Sequence, residues 1–520
     1  MDKRKGLINI AVSVLFKLIL TVLTLISRRM LIKYLGNDIN GLNSLYLSII
    51  NVISIAELGI GSSIIYCMYK PVVNGETKKV AALYNLYDKL YKIIAKIIIV
   101  CGVLILPFLG ILAKDYNNVN TNLYCTFLLM LISDVATYFF SAKTSLINAY
   151  KNDYITTTIS SIGLIFQCVL QIVVLIITKS FVYYLICRII AVVVQWILTN
   201  CYVDKKYKNL INTNYTCDDE TKKDIRKKVT AMFIHKLGGI FVNSADSIII
   251  SSFLGVIILG KYSNYVLIIT SMISVLSLIF TSLMSVIGHM MVDDDKSTSI
   301  RYFNILYDIN FVLGIIFFCG YNQIIDEVVY ICFGSNLKLD RLIVYVITIN
   351  YYIQFMRKSV ITFRDACGAF YFDRYKPIFE GVTNIILSIL FVYILPENYK
   401  VVGVIVATII TNLLICNIIE PYVLFKYGFK ANCKGFLIKN YFLDIVFIII
   451  LVIISMLKIQ IPNNIISLII NGGISVAITL FCCIIFILSN KVRREETKRM
   501  LNWLYSQFYK LKNKKKIQNS

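Results

Sequence analysis

Charged side chains inside long apolar segments are the residues of this sequence whose chemistry needs an explanation. The basic ones are Lys17, Arg28, Arg29, Arg188 and Lys236, and the acidic ones are Glu57, Asp134 and Asp246. A charge at the centre of a membrane-spanning helix costs roughly 2.5–3.5 kcal/mol on insertion scales, so it usually faces a partner or a watery cavity. Together these residues predict a polar interior that contains charges of both signs.

Each acidic residue can simply neutralise a basic neighbour. The two adjacent arginines are not equivalent. Arg28 and Arg29 project about 100° apart on a helix, and we expect only one of them to face a given cavity.

Other kinds of chemistry have little support in the sequence. His235 and His289 are the only histidines, which argues against a histidine-based metal site or a Ser/His/Asp triad. No GxxxxGK[ST] motif is present, so the chain has no P-loop for ATP hydrolysis. The run "VDDDKS" from Val292 to Ser297 resembles acidic glycosyltransferase motifs, but without a second acidic cluster a solvated turn is favoured. The sequence predicts no cofactor.

The composition predicts a membrane protein. Of the 520 residues, 58% are hydrophobic and 16% are charged, and the mean hydropathy is +0.74. The apolar residues form blocks of about 18–25, long enough to cross ~30 Å of hydrocarbon as helices. Transmembrane β-strands need only about 10 residues with alternating polarity. The fold class is therefore an all-α polytopic membrane protein.

These blocks position the charged residues on about fourteen transmembrane helices. The predicted spans are 7–27, 42–66, 93–113, 122–142, 155–177, 181–202, 229–252, 262–288, 304–321, 341–362, 378–395, 401–425, 440–457 and 465–488. Glu57 then lies about 13 Å from the inner end of the second span, at 1.5 Å per residue. Asp134 lies near the middle of the fourth span, and Asp246 in a polar part of the seventh.

Basic residues predict the orientation. If the N-terminus is cytoplasmic, the inside segments hold 36 Lys and Arg residues and the outside loops hold seven. This asymmetry satisfies the positive-inside rule and places both termini in the cytoplasm. Most of the net charge of +24 is accounted for in this way, so it does not indicate nucleic-acid binding. The basic C-terminal tail is either solvated or in contact with anionic lipids.

An internal repeat predicts two related halves. The segment "LGNDINGLNSLYLSII", Leu35 to Ile50, aligns without gaps with "LGVIILGKYSNYVLII", Leu254 to Ile269, and eight of sixteen positions are identical. A repeat of six helices preserves direction, so the halves are related by a pseudo-twofold axis along the membrane normal. The predicted parts are a six-helix lobe (1–202), a basic cytoplasmic linker (203–228), a second six-helix lobe (229–425), two extra helices (426–490) and a basic tail (491–520). Such paired lobes are typical of secondary transporters.

Three segments resemble a known family. They are "RRMLIKYLGNDINGLNSLYLSIINVISIAELGIGSSIIYCMYKP" near the N-terminus, "NSADSIIISSFLG" at the start of the second lobe and "IEPYVLFKYGFK" at the end of the twelfth span. They are similar to the bacterial polysaccharide flippases (Wzx type). This family belongs to the MOP superfamily, which also contains MATE drug exporters and the peptidoglycan precursor flippase.

The resemblance implies a non-enzymatic flippase in the bacterial cytoplasmic membrane. Its substrate would be an oligosaccharide linked to undecaprenyl diphosphate, moved from the inner to the outer leaflet by alternating access. Membrane lipids and polysaccharide polymerase machinery are the other implied partners, with no nucleic acid. Coupling to a Na⁺ gradient, a proton gradient or the membrane potential is also implied.

The resemblance also assigns roles to the embedded charges. Arg28 or Arg29, Arg188 and Lys236 would contact the anionic headgroup, because the guanidinium fork matches phosphate. Glu57, Asp134 and Asp246 would be charge partners or ion-coupling residues. The apparent fourteen spans exceed the twelve of many relatives, and the role of the last two is open.

Several alternatives share features of the sequence. A MATE-like exporter of organic cations would need an acidic cavity, whereas the embedded charges here are more often basic. A major-facilitator transporter would carry a Gly/Asp/Arg motif that residues 67–91 lack. A membrane glycosyltransferase or polymerase is disfavoured by the duplication, whereas the peptidoglycan precursor flippase stays open.

Overall fold

The computed structural model describes most of the chain. The described residues are 3–54, 60–116, 121–211, 213, 215–219, 223, 225, 244–293, 296–491, 493–495 and 498. Two of the predicted functional residues, Glu57 and Lys236, lie outside this part of the chain. The basic tail beyond residue 498 also lies outside it, as does most of the predicted seventh span.

Long helices make up the described part of the chain. We number them in chain order: α1 (Lys3–Leu35), α2 (Asn37–Ile53), α3 (Ile60–Val73), α4 (Thr77–Ile105), α5 (Leu123–Ala149), α6 (Asp153–Thr178), α7 (Phe181–Lys206), α8 (Ser244–Leu254), α9 (Val256–Asp293), α10 (Lys296–Phe333), α11 (Arg341–Ala366), α12 (Lys376–Ile394), α13 (Glu397–Phe429), α14 (Lys434–Met456) and α15 (Asn464–Leu488). Short helical turns such as Leu109–Leu112 and Lys208–Ile211 lie between them.

The predicted all-α membrane fold is confirmed. Ten of the helices in the described residues are long and apolar enough to cross a bilayer. Helix α11 has the length of a span but lower hydropathy, because it carries polar side chains such as Thr348 and Asn350. Both are buried within the protein, where polar residues of membrane helices usually lie.

Two spans differ clearly from their predicted bounds. The third, predicted over 93–113, belongs to a helical stretch that begins at Thr77. The ninth span, predicted over 304–321, is part of the 38-residue helix α10. A π-helical segment, Ile315–Cys319, lies inside it, and α13 contains two more, Asn412–Cys416 and Leu424–Phe429. The apolar residues 304–321 predicted the part of α10 that can cross a bilayer. They did not predict the more polar turns that extend this helix at both ends.

Contacts divide the chain into two compact units. The first unit comprises Met1–Ile279, Val329–Asn350 and Ala369–Ile419, and the second comprises Phe280–Val328, Tyr351–Gly368 and Glu420–Ser520. Helices α14 and α15 thus belong to the same unit as most of α10. The predicted lobes and linker follow the sequence repeat, and they stay a prediction.

In the first unit, the two copies of the sequence repeat pack against each other. Gly36 has φ +94° and Gly255 has φ +95°, and α2 and α9 begin at the residues that follow them. A methyl group on Gly41 would overlap the carbonyl oxygen of Val256, and one on Gly260 would overlap that of Asn37. Residues 37 and 256 are themselves equivalent in the repeat, so this α2–α9 crossing is reciprocal.

The second unit has an aromatic core that involves the last two helices. Phe303 of α10 lies within 5.1–5.7 Å, between ring centroids, of Phe363, Phe425, Phe429 and Phe436. Further along the unit, the rings of Tyr352 and Phe447 stack at 3.5 Å, and Phe311 lies 4.8 Å from Phe486.

Candidate functional site

A cavity of about 550 Å³ lies within the first unit and is lined by α1, α2, α6, α7 and α9. Its basic lining residues are Lys17, Arg28 and Arg188, and none of the described residues that line it is acidic. A cavity with this lining can bind an anion, because each cation offers charge-assisted hydrogen bonds to an anionic oxygen.

Helix α1 supplies much of the lining from one face. Lys17, Thr21, Thr24 and Arg28 follow one another at intervals of four, three and four residues. This spacing keeps side chains on one side of a helix. The polar face therefore runs along α1, between residues such as Leu15 and Val22 that are exposed on its other sides.

The structure separates the two adjacent arginines of α1. Arg28 lines the cavity, and its Nη1 donates hydrogen bonds to the carbonyl oxygen of Ser263, at 2.9 Å, and to its Oγ, at 3.3 Å. Arg29 does not line the cavity, and its Nη1 donates to the carbonyl oxygen of Ile331 at 3.1 Å. Of the two, Arg28 is the one placed to contact a ligand.

Arg188 lies beside an acidic residue. Its Nη2 is 3.7 Å from Oδ1 of Asp134, and each side chain is 23% exposed. Ser54 Oγ donates to the other carboxylate oxygen of Asp134 at 3.2 Å. Asp134 is thus close enough to compensate the charge of Arg188, the simpler of its two predicted roles.

Neutral polar side chains complete the cavity, and the sequence reasoning did not identify them. They are Thr21, Thr24, Ser27, Asn43, Gln167, Gln171, Tyr184, Thr270, Ser271 and Ser274. Gln171 Nε2 donates to the carbonyl oxygen of Tyr184 at 3.2 Å, which connects α6 to α7. Hydroxyl and amide groups of this kind bind sugar hydroxyls, since they both donate and accept hydrogen bonds. The polar spacing along α1 was a usable signal for Lys17, Thr21 and Thr24.

Asp246 belongs to a separate polar cluster and does not line the cavity. It is buried, and Thr408 Oγ1 lies 3.0 Å from both of its carboxylate oxygens. Asn384 Nδ2 in turn donates to Thr408 Oγ1 at 2.7 Å. Within the described residues no lysine or arginine pairs with Asp246. The carboxylate of Asp246 can bind a proton. Together with the side-chain oxygens of Thr408 and Asn384, it also offers the kind of oxygen ligands that coordinate Na⁺.

The cavity adjoins the α2–α9 crossing through Arg28. At the crossing, Asn40 Nδ2 lies 3.1 Å from the carbonyl oxygen of Gly260 and 3.1 Å from Oδ1 of Asn264. Asn37 Nδ2 donates to the carbonyl oxygen of Ile257 at 2.8 Å. Ser263, the partner of Arg28, lies between these contacts in the sequence, so a cavity residue directly contacts the crossing.

Known structures with a similar fold are membrane transporters, although sequence comparison identifies no relative. No protein-family model matches the sequence, and a search of curated proteins finds no match. The lipid II flippase MurJ, in an inward closed conformation, superposes with a TM-score of 0.62, 14% identity, and coverage of 93% of this chain and 99% of that chain.

Two MATE structures give similar results. An inward-facing multidrug resistance MATE transporter of the MOP superfamily has a TM-score of 0.55 and 13% identity, over 77% of this chain and 96% of that chain. A MATE protein in a bent conformation has a TM-score of 0.52 and 13% identity, over 86% and 98%. The chain therefore has the fold of these transporters.

Proposed function

We propose that this chain is a flippase that moves an oligosaccharide linked to undecaprenyl diphosphate from the inner to the outer leaflet of the bacterial cytoplasmic membrane. The observation that carries the proposal is the cavity with three basic and ten neutral polar side chains and no acidic one among its described lining residues. The basic groups suit a diphosphate, and the hydroxyl and amide groups suit sugars.

The roles of the basic residues follow from their chemistry. The planar guanidinium groups of Arg28 and Arg188 can each donate two parallel hydrogen bonds to a phosphate, and the ammonium of Lys17 adds a third positive charge at the other end of the α1 face. The polyprenyl chain needs no polar contacts and can stay in the lipid. Binding is the only chemistry required, so the proposed role is transport without catalysis.

A proposed coupling site completes the cycle. The buried carboxylate of Asp246, whose described contacts are neutral, would be stabilised by a proton or by Na⁺, since an uncompensated buried charge is costly. Asp134 would act as the charge partner of Arg188. We propose the same orientation that the basic loops predict, with both termini cytoplasmic.

Two alternatives differ in substrate. A MATE-like exporter of organic cations would bind positive charge in a cavity whose described lining residues carry three cations, which is electrostatically unfavourable. A peptidoglycan precursor flippase would use the same diphosphate chemistry, and the fold similarity to a lipid II flippase supports it as the second candidate.

Flipping in proteoliposomes tests the proposal. An impermeant reductant quenches fluorescent undecaprenyl-diphosphate oligosaccharide only in the outer leaflet of the vesicles. Flipping is measured as the rate at which the probe of the inner leaflet becomes accessible to the reductant. We expect Arg28→Ala to slow flipping by about 10–100-fold, because a hydrogen bond to a charged group contributes ~1.5–3 kcal/mol. Arg29→Ala, the matched control on the neighbouring residue, should flip at nearly the wild-type rate.

The outcomes separate the three candidates. Wild-type flipping by Arg28→Ala would exclude the cavity as the binding site. Flipping of lipid II but not of other lipid-linked oligosaccharides would favour the second candidate. Transport of organic cations without flipping of either lipid would overturn the proposal in favour of an exporter.

A further inference from the structure

A second cavity, of about 890 Å³, lies within the first unit and shares no lining residue with the first cavity. It is formed by the end of α3, the start of α4 and residues 215–218 of the predicted linker. We propose that this pocket binds the phosphate-bearing headgroup of a membrane lipid. The inference does not depend on what the first cavity transports.

The chain turns tightly where α3 meets α4, and this turn places three lysines at the pocket. Gly75 adopts φ +70°, and the amide of Glu76 donates to the carbonyl oxygen of Pro71 at 2.9 Å. Lys70, in the last turn of α3, and Lys78 and Lys79, in the first turn of α4, therefore all line the cavity. The first turn of a helix also carries partial positive charge.

Only one of the three lysines is neutralised within the described residues. Lys79 Nζ lies 2.6 Å from Glu76 Oε2. The hydrogen bond from Lys79, followed by one from Asn74, lowers the pKa of the Glu76 carboxyl, and Lys70 adds a smaller electrostatic contribution. Lys70 and Lys78 form no ion pair with any described residue, and Asp218 is the one acidic residue in the described lining.

Three tyrosines line the pocket together with these lysines. Tyr66 and Tyr69 share a face of α3 with Lys70, by their spacing of three and four residues, and Tyr215 faces them from the linker. Their exposed fractions are 65%, 44% and 43%. Tyrosine is enriched where membrane helices meet the headgroup region, and basic pockets between such helices bind lipid phosphates.

The linker part of the pocket is held in place by α4. Asn85 Nδ2 donates to the carbonyl oxygens of Thr213, at 2.7 Å, and Tyr215, at 3.0 Å. Cys217 is buried. The pocket is therefore a concave surface with a fixed wall, which distinguishes it from lysines scattered along a surface.

Lysine footprinting on the full-length protein tests the inference. The protein is placed in nanodiscs of phosphatidylcholine and treated with an amine-acetylating reagent, alone or with undecaprenyl diphosphate, phosphatidylglycerol or inorganic diphosphate. We expect undecaprenyl diphosphate, phosphatidylglycerol or both to protect Lys70 and Lys78 about tenfold, and inorganic diphosphate to protect them far less. Which lipid protects them identifies the source of the headgroup.

A matched pair of variants tests the site. Lys70→Gln with Lys78→Gln should weaken binding of the protecting lipid at least tenfold, because each charge-assisted phosphate contact contributes about a factor of ten. Lys89→Gln with Lys205→Gln removes the same charge from two exposed lysines outside the pocket and should bind as the wild type does. The wild-type footprint remains decisive if the first variant fails to fold.

Three results would overturn the inference. They are no protection by undecaprenyl diphosphate or phosphatidylglycerol beyond that seen in phosphatidylcholine alone, equal protection by inorganic diphosphate, and equal loss of binding in the two double variants. None of them bears on the flipping assay with Arg28→Ala, so this inference and the proposed function succeed or fail separately.

Discussion

Arg28 occupies the position where the first cavity meets the α2–α9 crossing. Its guanidinium donates to the backbone and side chain of Ser263 while also lining the cavity. An anion that binds Nη1 of Arg28 would compete with Ser263 for the N–H donors of this nitrogen. We therefore expect ligand binding at Arg28 to weaken the crossing, which in the proposed transport cycle would link substrate recognition to opening.

Asp134 and Asp246, the two predicted functional acids within the described residues, should respond differently to neutral substitution. Asp246→Asn keeps the shape of a buried side chain bonded to Thr408 but removes its charge. If Asp246 has the proposed coupling role, flipping in this variant should not depend on a Na⁺ or proton gradient. Asp134→Asn removes only a 3.7 Å contact to Arg188 between partly exposed groups. It should cost at most about 1 kcal/mol of stability and keep the ion dependence.

Both variants are tested by measuring flipping rates in proteoliposomes under a Na⁺ gradient, a proton gradient or a membrane potential. Each variant is the control for the other, since both replace one carboxylate by an amide. Ion dependence that survives in Asp246→Asn would exclude Asp246 from coupling. Ion dependence lost only in Asp134→Asn would move the coupling role to Asp134.

At the residue scale, the sequence predicted which residues could bind a ligand better than it predicted where they lie. Burial cost alone identified Arg28 and Arg188 as residues that need a cavity or a partner, and both line the cavity. The choice between Arg28 and Arg29 depends on how α1 is rotated against α9, which is a property of tertiary packing. The separation of Asp246 from this cavity also depends on long-range contacts, such as that with Thr408 of α13, which no local pattern encodes.

At the scale of helices, the α2–α9 crossing depends on the absence of side chains. Gly41 and Gly260 allow the backbone of each helix to reach the first turn of the other. Small residues permit this close approach in membrane proteins, where van der Waals packing and interhelical hydrogen bonds drive association. Asn40 then bonds across the contact to the carbonyl oxygen of Gly260.

We expect Gly41→Ala or Gly260→Ala to separate the two helices. The added methyl group would overlap a carbonyl oxygen of the backbone, which cannot move aside as a flexible side chain can, so each variant should cost about 1–3 kcal/mol. Hydrogen exchange of residues 37–53 and 256–278 should become faster, and flipping should become slower.

Gly473→Ala is the control for this prediction. Gly473 lies inside α15, and a methyl group there would meet nothing within 4 Å. Exchange in this variant should match the wild type, since alanine favours the helix more than glycine. Unchanged exchange in both Gly41→Ala and Gly260→Ala would mean that the crossing tolerates the extra volume.

The repeat was visible in the sequence, but its contact was not. The matched glycines of the two copies predicted equivalent positions, and Gly36 and Gly255 indeed share a positive φ. The two copies contact each other, with Gly41 against residue 256 and Gly260 against residue 37. This contact could not be predicted from the sequence, because it depends on how helices more than 200 residues apart pack together. Hydropathy also located the ten apolar spans found in the described residues, and it underestimated the lengths of α4 and α10, because the polar ends of these helices lack an apolar signal.

At the scale of the whole molecule, α14 and α15 are integral to the second unit. Two ionic clusters connect them to α10. Asp308 lies 2.7 Å from Lys439 of α14 and 3.0 Å from Arg493, which follows α15. Glu327 lies 3.1 Å from Lys458, between the two helices, and accepts a hydrogen bond from Ser467 of α15 at 3.0 Å.

Removing these helices should therefore destabilise the rest of the unit. A chain that ends at Phe429 would leave the partly exposed Asp308 and the buried Glu327 of α10 without these basic partners. Leaving a buried charge such as that of Glu327 uncompensated costs about 3–5 kcal/mol. The aromatic side of α10 would also lose Phe436 and Phe486. We expect the 1–429 chain to aggregate on detergent extraction, as measured by size-exclusion chromatography.

Co-expression of residues 430–520 as a separate chain is the matched test of this explanation. Because the contacts lie within helices and not in the loop that is cut, the two pieces should associate and restore a monodisperse protein that flips its substrate. A monodisperse and active 1–429 chain would instead mean that the last two helices are a dispensable addition to a twelve-helix transporter. Aggregation in both cases would indicate that the continuous chain between α13 and α14 is needed for folding, and that the ionic and aromatic contacts alone are too weak to assemble the unit.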